Sequence, residues 1–213
     1  VLVFLSKFKF SFLKERNVGV ILPSSVMGSI INLMLFIRGK ISVNLNYTLS
    51  EQNLIGCADK AGLRSIITSR QFIAKLKARS FELEESLKGR LIYLEDVAQG
   101  ISKADKICAM LKAILMPRWL LELIYFRDVR IDDDATILFS SGSEGTPKGI
   151  VLTHKNIMAN IKQISEIVNT DGNDVILASL PIFHSFGLTA ATFFPLSEGI
   201  ASAHVPDPTD AFA

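Results

Sequence analysis

Apolar positions along the chain recur with two periods, and the two periods alternate. Short β-branched runs predict strands at 18–22, "ISVNLN" (41–46), "SIITS" (65–69), "RLIYLED" (90–96), "TILFS" (136–140), "IVLT" (150–153) and "DVILASL" (174–180). Between them lie stretches with helical spacing. These are 24–37 ending near Gly39, "TLSEQNLIGCADKAG" (48–62), 70–87, 102–125 with a break near Pro117, 156–168, and "LTAATFFPLSEG" (188–199). Thr48 and Glu51 have the spacing of a capping box and Gly62 reads as a helix stop. Ile157, Ile161, Ile164 and Val168 fall on one helical face. Strands alternating with helices predict an α/β fold, with mainly parallel sheet layers flanked by helices. Right-handed crossovers then gather the strand-to-helix loops on one edge, where ligands of such folds bind. The pattern divides into a first α/β lobe over 1–130 and a second lobe over 131–213.

Two apolar stretches raise a membrane question. Residues 17–37 carry no charge and are long enough to span a bilayer, yet Pro23, Ser24, Ser25, Ser29 and Asn32 interrupt them. A buried strand, a turn and a buried helix account for them better. "KICAMLKAILMPRWLLELIYFRD" (106–128) is broken by Lys106, Lys112, Arg118, Glu122 and Arg127. It reads either as a core-facing helix with a proline kink or as an interfacial helix making peripheral membrane contact.

The totals narrow the field only a little. With 213 residues the chain can bury a real core, and 49% of them are hydrophobic. A net charge of +2, spread along the chain, gives no reason to expect nucleic acid as a partner. Cys57 and Cys108 form no disulfide framework or metal spacing, and both are expected to be reduced, mostly buried thiols of a cytoplasmic protein. The first residues, "VLVFLSKFKFSFLKER", lack a small-residue cleavage site and make a poor signal peptide. A valine start and the closing "DPTDAFA" suggest a piece of a longer polypeptide.

The chemistry concentrates in "ILFSSGSEGTPKGIVLTHKN" (137–156). Ordering a loop so rich in glycine is costly, and such loops commonly wrap an anion in backbone N–H groups. A Walker A loop is excluded because Lys148 follows Pro147 and Gly149 replaces the Mg²⁺-binding hydroxyl residue. The spacing of Gly142, Gly145 and Gly149 excludes a dinucleotide fingerprint, and "SGSEG" is no nucleophile elbow. Hydroxyls at Ser140, Ser141, Ser143 and Thr146 with a cation at Lys148 remain, a donor set suited to phosphate oxygens. A solvated surface turn is the competing reading.

"FSSGSEGTPKGIVLTHKN" resembles the phosphate-binding signature of the adenylate-forming superfamily of acyl-CoA synthetases, luciferases and peptide-synthetase adenylation domains. "LPIFHSFGLT" (180–189) resembles the next signature of that superfamily, and 18–54 and "ADKAGLRSIITS" look like its amino-terminal pattern. Glu144 stands where most members have Thr. With "LIYLEDV", it makes the chain look most like the acyl-acyl carrier protein synthetase half of the bacterial bifunctional 2-acylglycerophosphoethanolamine acyltransferase. That context places the protein at the cytoplasmic face of the inner membrane.

The resemblance implies that a fatty acid carboxylate attacks the α-phosphate of ATP, and that a thiol of acyl carrier protein or CoA then takes the acyl group. Ser140, Ser141, Gly142, Ser143, Gly145, Thr146 and Lys148 match the pyrophosphate grip. His184 matches the position near the substrate carboxylate, and Lys148 and His184 are the catalytic candidates. Phe183, Phe186 and Gly187 line the acyl tunnel or belong to the core. His154 is expected to be structural and His204 an exposed connector. The superfamily's adenine, ribose and Mg²⁺ contacts and its closing Lys have no counterpart in the 213 residues. The Mg²⁺ ligand is therefore expected outside this chain, and the remaining part of the same polypeptide becomes a partner. A non-turning-over membrane module and a phosphate-binding regulator are the other function classes left open.

Overall fold

The computed structural model describes residues 1–8, 15–78, 81–126, 129–140 and 147–206. Among them, β1 (Asn17–Ile21), β2 (Ile41–Asn44), β3 (Ile66–Thr68), β4 (Leu91–Tyr93), β5 (Asp134–Ser140) and β6 (Lys148–Thr153) form one sheet in the order β4-β3-β1-β2-β5-β6. The first five are parallel, and β6 runs antiparallel to β5 at the edge. Because β2 pairs with β5, the stretches 1–130 and 131–213 share this sheet. β7 (Val175–Ala178) and β8 (Ala201–His204) form a second, parallel pair. The α/β architecture expected from the sequence is the one observed.

Helices connect the strands as the periodicity requires. They are α1 (Leu2–Lys7), α2 (Val26–Ile37), α3 (Glu51–Lys60), α4 (Arg70–Lys77), α5 (Leu83–Ser86), α6 (Leu94–Gln99), α7 (Lys103–Leu115), α8 (Arg118–Tyr125) and α9 (His154–Ile167). A continuous group follows: α10 (Ser185–Leu188), a π-helical turn Thr189–Phe193, and α11 (Phe194–Glu198). β1, β2 and β3 are buried almost throughout, so apolar residues dominate them, with Ser42, Asn44 and Thr68 buried among those apolar positions. One face packs Ile21, Val43 and Ile66 with Leu54 of α3 and Phe72 of α4. The opposite face packs Val18, Val20 and Ile67 with Ile31 and Leu35 of α2 and Leu5 of α1. A third cluster joins Leu138 of β5 to Ile157 and Ile161 of α9 and Phe193 and Phe194.

Several boundaries differ from the sequence reading, each for a local reason. α3 is capped by Ser50, which accepts the Asn53 N–H at 3.4 Å, and not by Thr48. Thr48 is taken up by the Asn46 side chain, and Glu51 accepts from the Glu82 N–H and the Ser86 hydroxyl instead of closing a box. The helix expected over 70–87 is two helices, α4 and α5. Within "RLIYLED" only 91–93 is strand, and the chain turns into α6 at Leu94. The single helix expected over 188–199 widens to a π turn before α11, where Pro195 has no N–H to offer the carbonyl four residues back. Gly199 closes it with a left-handed φ of 73°. The "exposed connector" at His204 is part of β8, half-buried. Cys57 is buried as expected, but Cys108 is exposed. Residues 17–37 form β1 and α2, and no helix among the described residues is long and apolar enough to cross a membrane. The core-facing reading of 106–128 fails for α7, which buries none of its side chains.

A buried polar ladder ties α2, β2 and β5 together. The Asn32 amide donates to Asn44 Oδ1 at 3.1 Å and to the Gly28 carbonyl at 2.9 Å, and the Asn44 amide donates back to Asn32 Oδ1 at 2.8 Å. Along the sheet, Thr136 Oγ1 donates to the Ser42 carbonyl at 2.7 Å and Ser42 Oγ donates to Thr136 Oγ1 at 3.1 Å. All four residues are buried. Reciprocal bonds of this kind are neutral to mildly favourable when complete and costly when half-removed. Asn44→Ala leaves the Asn32 amide short of a partner, and urea denaturation should show a loss of about 1–3 kcal/mol. Wild-type stability in that variant would show the pair to be dispensable.

Candidate functional site

The Ser/Gly-rich loop closes a β-hairpin at the carboxyl edge of the parallel strands. β5 ends at Ser140, β6 begins at Lys148, and the two residues are register partners. Ser140 Oγ donates to the Lys148 carbonyl at 3.5 Å, a weak bond. Gly149 lies opposite Phe139, where an added Cβ would come within 3.2 Å of the ring. The missing side chain leaves room for Phe139 to pack against the edge strand. Ser141, Gly142, Ser143, Gly145 and Thr146, together with Glu144, lie outside the described residues. The Lys148 side chain is exposed. A second cation stands beside it: Lys60, in the last turn of α3, donates to the Pro147 carbonyl at 3.3 Å. Sequence reasoning missed Lys60, because nothing local marks a residue 87 positions away as a neighbour of the loop.

The second candidate group is built on a tight turn. The His184 N–H donates to the Pro181 carbonyl at 3.0 Å, and the His184 carbonyl accepts from Leu188 at 2.9 Å as α10 begins. Gly187 is required here, since a Cβ would sit 2.1 Å from the Pro181 carbonyl oxygen. The His184 ring is exposed and lies 4.6 Å from the Phe183 ring, centroid to centroid. Phe183 itself is a core residue, edge-on to Tyr47 at 4.9 Å, with Tyr47 edge-on to Phe72 at the same distance. Phe186 points to solvent. Phe139 and Phe183 belong to the same buried cluster, so Ser140 and His184 each follow directly on a phenylalanine fixed in one core. Ser24 Oγ adds a buried bond to the Ala178 carbonyl at 3.0 Å, which holds the end of β7 to the first lobe.

A cavity of about 440 Å³ opens at the carboxyl ends of β1, β3 and β4, lined by Leu22, Pro23, Ser69, Phe72 and Leu94. Its lining includes none of the candidate catalytic or binding residues.

His154 sits at the start of α9, behind a capping box formed by Thr153 and Asn156. Its ring is edge-on to Phe36 at 5.1 Å, and burial lowers its pKa, with Asp133 opposing. Hydroxyls and cations around 140–148 are a donor set that fits a polyphosphate. No group of three or more His, Cys, Asp or Glu among the described residues is placed to hold a metal, so no step is assigned to Mg²⁺.

Residues 11–213 match the model of a family described as AMP-binding enzyme. The chain belongs to that family. It is 30% identical over 165 residues to 4-coumarate–CoA ligase 3 of Arabidopsis thaliana, an alignment covering 76% of this chain and 27% of that protein. It is 38% identical over 69 residues to the chloroplastic long-chain-fatty-acid–[acyl-carrier-protein] ligase AEE15 of the same plant, covering 32% of this chain and 9% of that protein. In fold it is similar to ATP-bound MatB from Rhodopseudomonas palustris, with a TM-score of 0.68 and 22% identity over 97% of this chain and 39% of that one. MenE from Bacillus subtilis, in complex with the acyl-adenylate intermediate OSB-AMP, gives a TM-score of 0.69 at 18% identity, over 97% of this chain and 47% of that one. The chain thus spans less than half the length of each of these four proteins.

Two outcomes follow from this geometry. Gly187→Ala forces the Pro181 carbonyl aside, and the melting temperature should fall by at least about 5 °C; an unchanged melt would mean the turn can relax freely. His154 has a folded-state pKa below its unfolded value, so the unfolded chain binds more protons between the two values. Stability should therefore fall as pH drops from about 7.5 to about 5. His154→Gln should reduce that slope, leaving the shares due to His204 and the Val1 amino group, whose pKa values burial also lowers. Equal slopes in denaturation series at several pH values would assign the dependence elsewhere.

Proposed function

We propose that the chain is the phosphate-gripping and acid-positioning part of an ATP-dependent, AMP-forming acid–thiol ligase. The observation that carries the reading is the β5–β6 hairpin. It sets Ser140 against Lys148 and brings Lys60 beside the loop, at the edge where α/β folds bind ligands. Family membership supports the same reading.

In the first half-reaction a carboxylate oxygen attacks the α-phosphorus of ATP, the bond to the bridging oxygen breaks, and pyrophosphate leaves with its electron pair. Negative charge grows on the β- and γ-phosphates, so donors already in place lower the barrier. Ser140 and Lys148 fill that role, together with the hydroxyls and N–H groups of Ser141, Gly142, Ser143, Gly145 and Thr146. His184, on a turn held rigid by Gly187 and anchored through Phe183, orients the attacking carboxylate. In the second half-reaction a thiolate attacks the acyl carbonyl and AMP departs.

We take the acid to be a fatty acid and the thiol to be that of acyl carrier protein or CoA. The matched relatives include ligases named for each thiol. Glu144 and the segments quoted with it favour the acyl-acyl carrier protein synthetase of the bacterial 2-acylglycerophosphoethanolamine acyltransferase system, at the cytoplasmic face of the inner membrane. A second reading, a membrane-associated module that keeps the fold without turnover, draws on the outward apolar face of α7 and predicts no exchange activity at all.

The test is ATP–pyrophosphate exchange by the full-length protein with a series of fatty acids. Lys148→Ala should lower exchange by about 100-fold or more. His184→Ala should act mainly through the acid, changing its apparent affinity and rate more than those for ATP. Exchange unaltered by Lys148→Ala would overturn the assignment.

A further inference from the structure

Residues 103–126 build two helices whose largest apolar side chains face away from the protein. In α7, Asp105 and Ala109, one turn apart, share the half-buried face. Ile107, Met110, Ile114 and Leu115 lie round the other side, 54%, 55%, 70% and 73% exposed. This reverses the amphipathicity of a surface helix, which turns its apolar stripe inward. α8 is anchored by Tyr125 and Leu121 in the core, which leaves Trp119 and Leu123 on its outer side at 64% and 74% exposure. Six large apolar side chains on two consecutive helices, each more than half exposed, are the kind of surface that a partner covers.

Charge identifies the partner. The segment holds four cations, Lys103, Lys106, Lys112 and Arg118, against two carboxylates, Asp105 and Glu122. Both carboxylates are bonded within the segment: Asp105 accepts from the Ser102 N–H at 2.9 Å, and Glu122 accepts from Arg118 at 2.6 Å. Lys103 and Lys106 are exposed at the amino-terminal end of the stripe. An outward apolar stripe with a tryptophan and rim lysines suits a bilayer with anionic headgroups, where lysine stems can lie along apolar surface and their ammonium groups meet phosphate. A second copy of the chain would bring the same positive excess and no surplus of anions. Helices of 13 and 8 residues, separated by Pro117, are too short to cross a bilayer and can only lie in its surface.

We propose that α7 and α8 form a peripheral docking surface for anionic lipid bilayers, with the apolar side chains entering the headgroup–acyl boundary and Lys103 and Lys106 meeting lipid phosphates. The proposal does not depend on the ligase reading. The full-length protein is sedimented with phosphatidylcholine vesicles and with vesicles containing about 30% phosphatidylglycerol. It should pellet with the anionic vesicles and be released by raised salt. The double variant Ile114→Glu/Leu123→Glu should lower the partition coefficient by about tenfold or more, and Lys103→Glu/Lys106→Glu by several-fold. Both should keep the wild-type circular dichroism and melting temperature, since every altered side chain is exposed, and both should keep wild-type pyrophosphate exchange. Wild-type protein left in the supernatant would overturn the proposal, as would equal binding by Ile114→Glu/Leu123→Glu. Light scattering provides the remaining arm. A dimer that the same double variant dissolves, with vesicle binding unchanged, would assign the face to a second copy instead.

Discussion

The Asn32–Asn44 amide pair and the Ser42–Thr136 hydroxyl pair set the register on which the rest of the structure depends. Apolar packing is non-directional and would tolerate α2 sliding along the sheet. A reciprocal amide pair does not, because a shift of one residue leaves two buried amides unpaired. The hydroxyl pair carries the same constraint sideways to β5, whose last residue opens the Ser/Gly-rich loop. The position of the loop therefore traces back to four buried polar side chains, three of them far from it in sequence and the fourth, Thr136, on the strand that leads into it.

A hairpin gives this loop a different character from a phosphate loop that runs straight into a helix. Its two rims are adjacent strands, so the ends are held by ladder bonds at a spacing the sheet dictates. Without an aligned helix terminus, the site depends on side-chain hydroxyls, loop N–H groups and nearby cations to meet an anion. Lys60 adds one such cation from a separate element.

The overall layout was legible in the sequence because short β-branched runs mark β1, β2 and β3, even with Ser42 and Asn44 buried in β2, and the helices between them keep a 3.6-residue period. Boundaries were less legible wherever a side chain had a choice. Ser50 outcompeted Thr48 as a cap once Asn46 had engaged Thr48, and Pro195 forced a π turn inside an otherwise helical pattern. α7 misled for a physical reason, since an apolar stripe reports a face that avoids water without saying whether protein or something else covers it. In the candidate site, the loop and the "FHSFG" segment were visible as motifs. Lys60, the Phe139–Phe183 core and the steric need for Gly187 were not, because each is a contact across the fold.

The shared cluster holding Phe139 and Phe183 makes the two candidate motifs mechanically one object. Phe183 is braced by Tyr47, which packs in turn on Phe72, and Phe139 sits in the same cluster, so residues far apart in the chain hold the two motifs to one core. Variation at the exposed positions His184 and Phe186 can therefore alter what is bound without moving the frame that carries Ser140. A change of volume at Tyr47 would instead be felt directly at Phe183, against which it packs. Under the proposed reading, substitution at the exposed positions and repacking of the shared core are then two separate routes by which the pair of motifs can change.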